Sequence, residues 1–418
     1  MMKKNILLLC LVLSSIVGVS QNMIGLQGSN YAGINAIQQN PAATADSRYL
    51  LDIAIGTGGV YFNNDYFYLQ KNKTAFFGMR AYTDALTNDG LSEKLDLTKS
   101  FNEGTVNFRG MVLSGLWSIN PKHSVGIYFQ ARAAITLSKA TPQAVNFANS
   151  GFTNESLWNK TQTVRDLDFS AASWLEYGVS YATVFHNKNN NVWKAGANLK
   201  YCGAIAGGYV KDVDLDILIK NDSLADITVR NIEYARVDVE NSSRENFAGT
   251  GFGFDLGVQY EWREDASVYS TDPKGQAMRE RSVNKYKLRA GLSIIDIGGL
   301  SFNENTQVNR VENRSGTNYY WKGVTYSNIE DFDTSFSNFF YGDSLKTRVA
   351  DNFKMSLPTA INIQVDYHIK KDFYAGFQFQ KDINFGDKSR PTSLEYLSII
   401  PRWERRWFEV SLPISFME

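Results

Sequence analysis

The stretch HSVGIYFQARAAITLS, residues 123–138, decides the fold. From Val125 to Leu137 its odd positions are all apolar, whereas its even positions are mostly polar or small and include Arg132. A period of two places alternate side chains on opposite faces of a β-strand. The stretch is therefore predicted to be one long strand with an apolar face and a polar face.

The same alternation recurs along the chain. Strands of soluble β-sandwiches usually have about five or six residues, whereas a barrel strand needs about 9 to 11 to cross a bilayer at a tilt. Long alternating strands predict an all-β, antiparallel transmembrane β-barrel over residues 48–418; a secreted soluble β-protein is the alternative. The predicted strands are 49–62, 105–119, 123–138, 168–185, 192–210, 248–262, 283–297, 355–369, 372–382, 392–401 and 406–416.

These strands are odd in number, whereas single-chain bacterial barrels have an even number. We therefore expect about 12 to 14 strands. The missing strand lies either in Asn318 to Ser327 or beyond the last residue of this chain. Val213 to Ile219 and Ile227 to Val239 also alternate, but their many charged residues predict a hairpin that extends above the membrane.

The links between strands alternate in length. Short links, such as 120–123 and 370–372, alternate along the chain with long links, such as 63–104 and 139–166. Outer-membrane barrels have short periplasmic turns and long extracellular loops. The alternation thus favours a barrel in the outer membrane of a Gram-negative bacterium, with membrane lipid as its surroundings.

The first 20 residues are predicted to be a signal peptide. Lys3 and Lys4 precede an apolar run, and small residues follow it up to Ser20, where cleavage is expected. Removal of this segment leaves Cys202 as the single cysteine. Lys plus Arg and Asp plus Glu both total 43, so overall charge does not favour nucleic acid as a partner.

Eight charged residues fall on the predicted lumen face of the strands. They could form ion pairs that brace the wall, because an unpaired buried charge is costly. They could also line a polar permeation path, as in water-filled barrels. The eight are Arg132, Glu176, Lys194, Lys200, Asp255, Glu261, Arg289 and Asp366.

The sequence predicts neither an enzyme nor a metal or cofactor site. His123, His186 and His368 lie at predicted turns of different strands, and no Gly-x-Ser-x-Gly elbow precedes a helix. Asp212, Asp214 and Asp216 share a strand face but lack the glycine and glutamate of a calcium loop. They are expected to form a solvated surface, with weak cation binding as the alternative.

The segment 28–33 (GSNYAG), followed by Gln39-Asn40-Pro41-Ala42-Ala43, resembles the N-terminal region of FadL-like long-chain fatty-acid transporters. Segments 293–298 (SIIDIG), 357–360 (LPTA) and 401–403 (PRW) resemble those of an uncharacterised, PorV-related Bacteroidota branch of these barrels. Members of that branch usually continue past the point where this chain ends. The resemblance implies a barrel closed by an N-terminal plug, here residues 21–47, with Asn40, Pro41 and Ala42 as the turn into the first strand. An Asx-type turn without ligand contact is the simpler interpretation of those three residues.

The resemblance implies passive uptake of small hydrophobic compounds. A barrel of a different functional class, which serves as a scaffold or as a partner in type IX-like secretion, is the alternative, and its protein partner is not readable from the sequence. A large apolar pocket from the loops into the lumen would favour uptake. A lumen filled with ion pairs would favour the scaffold.

Overall fold

A computed structural model of the chain describes residues 23–64, 67–69, 91–93, 101–142, 144–145, 155–238, 247–264, 284–320, 329–405 and 408–417. The predicted signal peptide, residues 1–20, and the first residues of the predicted plug lie outside this described part. None of the helices in these ranges is long and apolar enough to cross a membrane.

Alternating side chains form strands over most of the described chain. In chain order the strands are β1 (Leu51–Asn64), β2 (Phe67–Leu69), β3 (Leu91–Glu93), β4 (Asn102–Ser118), β5 (His123–Ala140), β6 (Thr161–Arg165), β7 (Asp168–Lys188), β8 (Asn191–Ile219), β9 (Leu224–Val237), β10 (Gly249–Trp262), β11 (Leu288–Phe302), β12 (Thr306–Tyr320), β13 (Arg348–Ala350), β14 (Phe353–Ser356), β15 (Ala360–Lys370), β16 (Phe373–Asp382), β17 (Tyr396–Glu404), β18 (Glu409–Ser411) and β19 (Ile414–Met417). Helix α1 spans Ile329–Tyr341.

One antiparallel sheet of 17 strands curls into a half-barrel, which confirms the predicted fold class. Thirteen of its strands form the wall, where they occupy the eleven predicted strand positions in chain order. Two positions are divided, between β14 and β15 and between β18 and β19. Pro358 and Pro413 lie at the breaks, because proline cannot donate a ladder hydrogen bond.

The additional wall strand expected in Asn318 to Ser327 is not present in the described part of that stretch, and residues 321–327 lie outside the described residues. Asn318–Tyr320 are the end of β12, which pairs with β9 and β13 and not with the wall. Within the described ranges, no pairing joins β1 to β18 or β19, so these strands are the two edges of the wall.

The faces of the wall differ as the alternation predicts. On β10, Phe252 and Leu256 are 65% and 50% exposed on the outside, whereas Asp255 and Gln259 are buried inside. The outer face therefore carries an apolar band and the inner face carries polar side chains.

The wall has two distinct ends. At the short-turn end, β4 joins β5, β7 joins β8 and β15 joins β16 through a few residues each. β10 ends and β11 begins at this end as well, and residues 263–264 and 284–287 are the described part of the longer link between them. At the long-loop end, β8 continues past the wall and forms the predicted hairpin with β9.

The hairpin belongs to a second, smaller sheet region that we call the extension. It consists of β6, the end of β8, β9, β12 and β13. Aromatic residues of α1, including Phe336, pack on one face of this sheet, and Arg236 pairs with Asp333 of the helix at 2.9 Å. The extension thus has its own core beyond the long-loop end.

Candidate functional site inside the barrel

Residues 23–50, which we call the N-terminal segment, lie against the inner face of the wall. The segment forms two 3-10 turns, Gly33–Gln38 and Pro41–Thr44, most of whose residues are buried. The Ser293 hydroxyl donates a hydrogen bond to the Gln39 carbonyl at 2.5 Å, and the Asn198 amide donates to the Ile37 carbonyl at 3.2 Å. Inward polar side chains of the wall therefore satisfy the backbone of the segment.

The residues Asn40, Pro41 and Ala42 make a turn that is also a docking point. The Asn40 side chain accepts a hydrogen bond from the Ala42 backbone N–H at 3.0 Å and donates to the Val258 carbonyl at 3.1 Å. Pro41 begins the second 3-10 turn, where its fixed φ is favourable. The three residues therefore serve packing and capping in this structure.

Glycines on neighbouring strands make room for this turn. Gly257 of β10 lies opposite Gly196 of β8. A Cβ on Gly196 would lie 2.5 Å from the Ala42 nitrogen, and a Cβ on Gly257 would overlap Asn40. The close approach of the turn to the wall therefore requires glycine at both positions.

Deeper in the interior, six charged residues from six successive wall strands form what we call the central cluster. Lys200 pairs with Asp255 at 2.7 Å and with Asp296, and Arg132 reaches Asp296 at 2.8 Å and Glu176 at 3.1 Å. The members are Arg109, Arg132, Glu176, Lys200, Asp255 and Asp296. Three positive and three negative groups thus neutralise one another; five of them are buried, and the Arg109 side chain is 14% exposed.

A second group of charges lies nearer the short-turn end. Glu261 accepts from Lys194 and Arg263, both at 2.5 Å, and Arg263 also reaches Asp46 of the N-terminal segment at 2.8 Å. Lys285 pairs with Asp46 at 2.7 Å. These five residues form what we call the turn-end cluster, which ties the segment to β8, to β10 and to the residues just before β11.

Asp46 shows how strongly the turn-end cluster holds a negative charge. Burial raises the pKa of this carboxyl, but Lys285, Lys194 and Arg263 outweigh burial, so its pKa lies below the usual value. A depressed folded-state pKa contributes stability above the ordinary pKa of about 4, and this contribution is lost as the pH falls through the folded-state value.

The remaining two predicted residues, Arg289 and Asp366, meet in a third group. They face each other across β11 and β15 and pair at 3.3 Å, and Arg402 of β17 reaches Asp366 at 2.7 Å. Tyr286 donates a hydrogen bond to the same carboxylate. All eight predicted lumen residues therefore lie in ion pairs on the inner side of the wall.

Several partners of these residues were not predicted from the sequence, above all Asp296. This residue interrupts the period of two, because it lies at a β-bulge in β11 with a φ of 59°. One feature of the sequence could have indicated this bulge: a single acid lies within the apolar run 294–297, and two glycines follow the run. Arg263, Asp46 and Arg402 lie outside or at the ends of the alternating strands.

Towards the long-loop end the interior is apolar and packed. Trp174, Phe302, Phe353, Met355 and Leu357 form a buried cluster with their neighbours, and the rings of Phe302 and Phe353 stack at 4.6 Å. This apolar layer lies between the central cluster and the extension.

The histidines and aspartates considered for catalysis or cation binding make contacts at the surface. His123 lies beside the Tyr181 hydroxyl at 2.7 Å, and His368 contacts the Lys371 carbonyl at the same distance. Asp214 and Asp216 pair with Arg230 on β9, at 2.6 and 2.8 Å. Among the described residues, no group of three or more His, Cys, Asp or Glu side chains is placed to hold a metal ion.

A family model matches residues 41–418, from the turn at Pro41 through the whole wall. The chain belongs to DUF5723, a family of unknown function. No curated protein matches the chain. The family match gives the chain relatives but assigns no activity to them.

The glycine contact of this DUF5723 member can be tested by Gly257→Ala. The added methyl overlaps Asn40, so we expect a loss of about 1–3 kcal/mol in the free energy of unfolding and faster proteolysis within residues 23–50. Denaturant unfolding and limited proteolysis of the detergent-folded protein measure both. Gly115→Ala is the control, because its methyl would come no nearer than 3.9 Å to its closest neighbour. Equal behaviour of the two variants would contradict the docking contact.

The central cluster can be tested by Asp296→Asn. This change leaves Arg132 and Lys200 without their shared charge, and breaking a buried pair typically costs about 3–5 kcal/mol. Asp214→Asn on the extension is the matched control, because a partly exposed pair is worth at most about 1 kcal/mol. Denaturant midpoints give the comparison. A loss at Asp296 no greater than that at Asp214 would show that the cluster does not hold the interior together.

Proposed function

We propose that the protein is an outer-membrane β-barrel with a closed interior, and that it acts as a scaffold which binds a protein partner. The observation that carries this proposal is the filling of the interior. From the short-turn end to the long-loop end, it is occupied by the N-terminal segment, the central cluster and the apolar layer. Packed layers along the whole interior favour a scaffold over a channel.

Placement in the membrane is supported by the outer face. Large apolar side chains are exposed on successive wall strands, far beyond the single scattered apolar residues normal for a soluble surface. Those at least 50% exposed include Leu51, Ile53, Ile55, Phe62, Leu113, Trp117, Ile127, Val179, Phe185, Leu199, Phe252, Leu256, Phe373, Val410, Leu412, Ile414 and Phe416. A bilayer would cover this band.

The extension supplies the surface for a partner. It is a folded unit beyond the wall, and exposed apolar side chains lie on it or beside it: Leu345 is 67% exposed and Val349 52%. These residues lie outside the wall band, so lipid would not cover them. We place the partner contact there.

Passive uptake of small hydrophobic compounds is the second candidate. One observation favours it: the described parts of β1 and β18–β19 are not paired, which leaves a lateral gap in the wall. Ile24 of the N-terminal segment packs with Tyr61, Tyr396 and Ile400 at this gap, so the segment would have to move before a ligand could pass.

Permeability separates the two candidates. We expect wild-type protein to float with lipid vesicles, to migrate differently on gels before and after boiling, and to pass neither small solutes nor a fluorescent fatty acid. Deletion of residues 22–40 removes much of the interior filling and is expected to raise solute flux. Fatty-acid uptake by the wild type would favour the second candidate, and recovery in the soluble fraction would exclude both.

The partner contact can be tested in cells with a photo-crosslinking amino acid at Leu345 or Val349. We expect a discrete crosslinked band at these positions and none at His186, which is exposed at the opposite, short-turn end. The band should persist in the deletion variant, because the extension does not depend on residues 22–40. Absence of a band at both extension positions would contradict a partner at this surface.

A further inference from the structure

A polar cleft lies between the N-terminal segment and the inner face of the wall at the short-turn end. Its cavity volume is about 70 Å³, and residues of β8, β10, β11, β15 and β17 line it. One water needs about 10–15 Å³ of such volume, so the cleft has room for a small anion but not for a drug-sized ligand. Its lining is made chiefly of charged and amide side chains.

The charge of the lining is unbalanced. Five cations face three carboxylates, which leaves an excess of two positive charges. Behind the lining, Arg402 contacts Asp366 and Glu409, which lowers the excess to one. The lining cations are Arg48, Lys194, Arg263, Lys285 and Arg289, and the carboxylates are Asp46, Glu261 and Glu404.

The paired cations keep donors for a ligand. A guanidinium has five N–H donors and an ammonium has three. Lys285 can therefore hold Asp46 and still donate to a second acceptor at the cleft. Because low local dielectric strengthens such hydrogen bonds, an anion here would be held more strongly than at the surface.

An amide in the lining gives an independent indication. The Gln364 side chain is more than nine-tenths buried, and its Nε2 has no hydrogen-bond partner. A buried donor without an acceptor costs about 1–3 kcal/mol, so native proteins rarely keep one. Gln364 lines the cleft, and a rotation of its side chain would turn this donor towards the oxygen of a bound anion.

We propose that this cleft binds a small anion that carries a carboxylate or phosphate group. The excess of cations favours a ligand of negative charge, and the Gln364 amide adds a hydrogen-bond donor for it. The cavity beside the central cluster is a poorer candidate, because its volume is about 10 Å³ and two cations face two carboxylates there. The proposal is independent of whether the protein transports solutes or binds a partner.

Calorimetric titration of the detergent-folded full chain tests the proposal, with inorganic phosphate and succinate as separate probes and choline chloride as the cationic comparison. We expect saturable binding of at least one anion and none of choline. Lys285→Gln and Gln364→Leu should each weaken it by about tenfold, since each removes a donor. Whichever probe binds more tightly identifies phosphate or carboxylate as the preferred group.

Lys287→Gln is the matched control. Lys287 is two residues from Lys285 but faces Glu264 and the Tyr367 ring, away from the cleft. It should bind anions as the wild type does, and gel mobility before and after boiling checks that every variant is folded. Absence of saturable anion binding, or equal binding by wild type, Lys285→Gln and Gln364→Leu, would overturn the proposal. Gln364→Leu tests it without a change of charge.

Discussion

The interior depends on one carboxylate, that of Asp296, and on the cations around it. Arg109, Arg132 and Lys200 come from three different strands and converge on this group. Charges removed from water are tolerated only when partners replace the lost solvent. Each strand that contributes a charge is therefore held in register with its neighbours, because a shift by one residue would turn that charge towards the apolar outside.

The position of the N-terminal segment follows from this arrangement. Arg109 holds Asp296 and also donates to the Gln38 carbonyl at 3.3 Å, so the cluster and the segment share a donor. One turn later, Asn40 reaches the Val258 carbonyl across the glycine surface of Gly196 and Gly257. The segment is thus fixed by polar contacts on one side of this turn and by close backbone packing on the other.

The amino-acid sequence was sufficient to predict the strands of the wall but not the side-chain contacts inside it. A period of two is a local property, and it placed all eleven wall positions and the inward direction of Arg132, Lys200 and Asp255. Ion-pair partners depend on register across strands, which local alternation does not determine. Asp296 was missed because a bulge reverses the alternation, and Asp46 and Arg263 were missed because they lie outside the alternating strands.

The interior is polar at one end and apolar at the other, and this asymmetry limits what it can do. A small anion in the cleft would meet the central cluster, whose charges already neutralise one another, and then the layer around Trp174 and Phe302. Transfer of a charged group into that layer would require its desolvation without a partner. A ligand that enters from the short-turn end would therefore leave by the same end. The cleft is suited to binding rather than to passage, which agrees with the proposed scaffold, whose partner surface we propose at the opposite end.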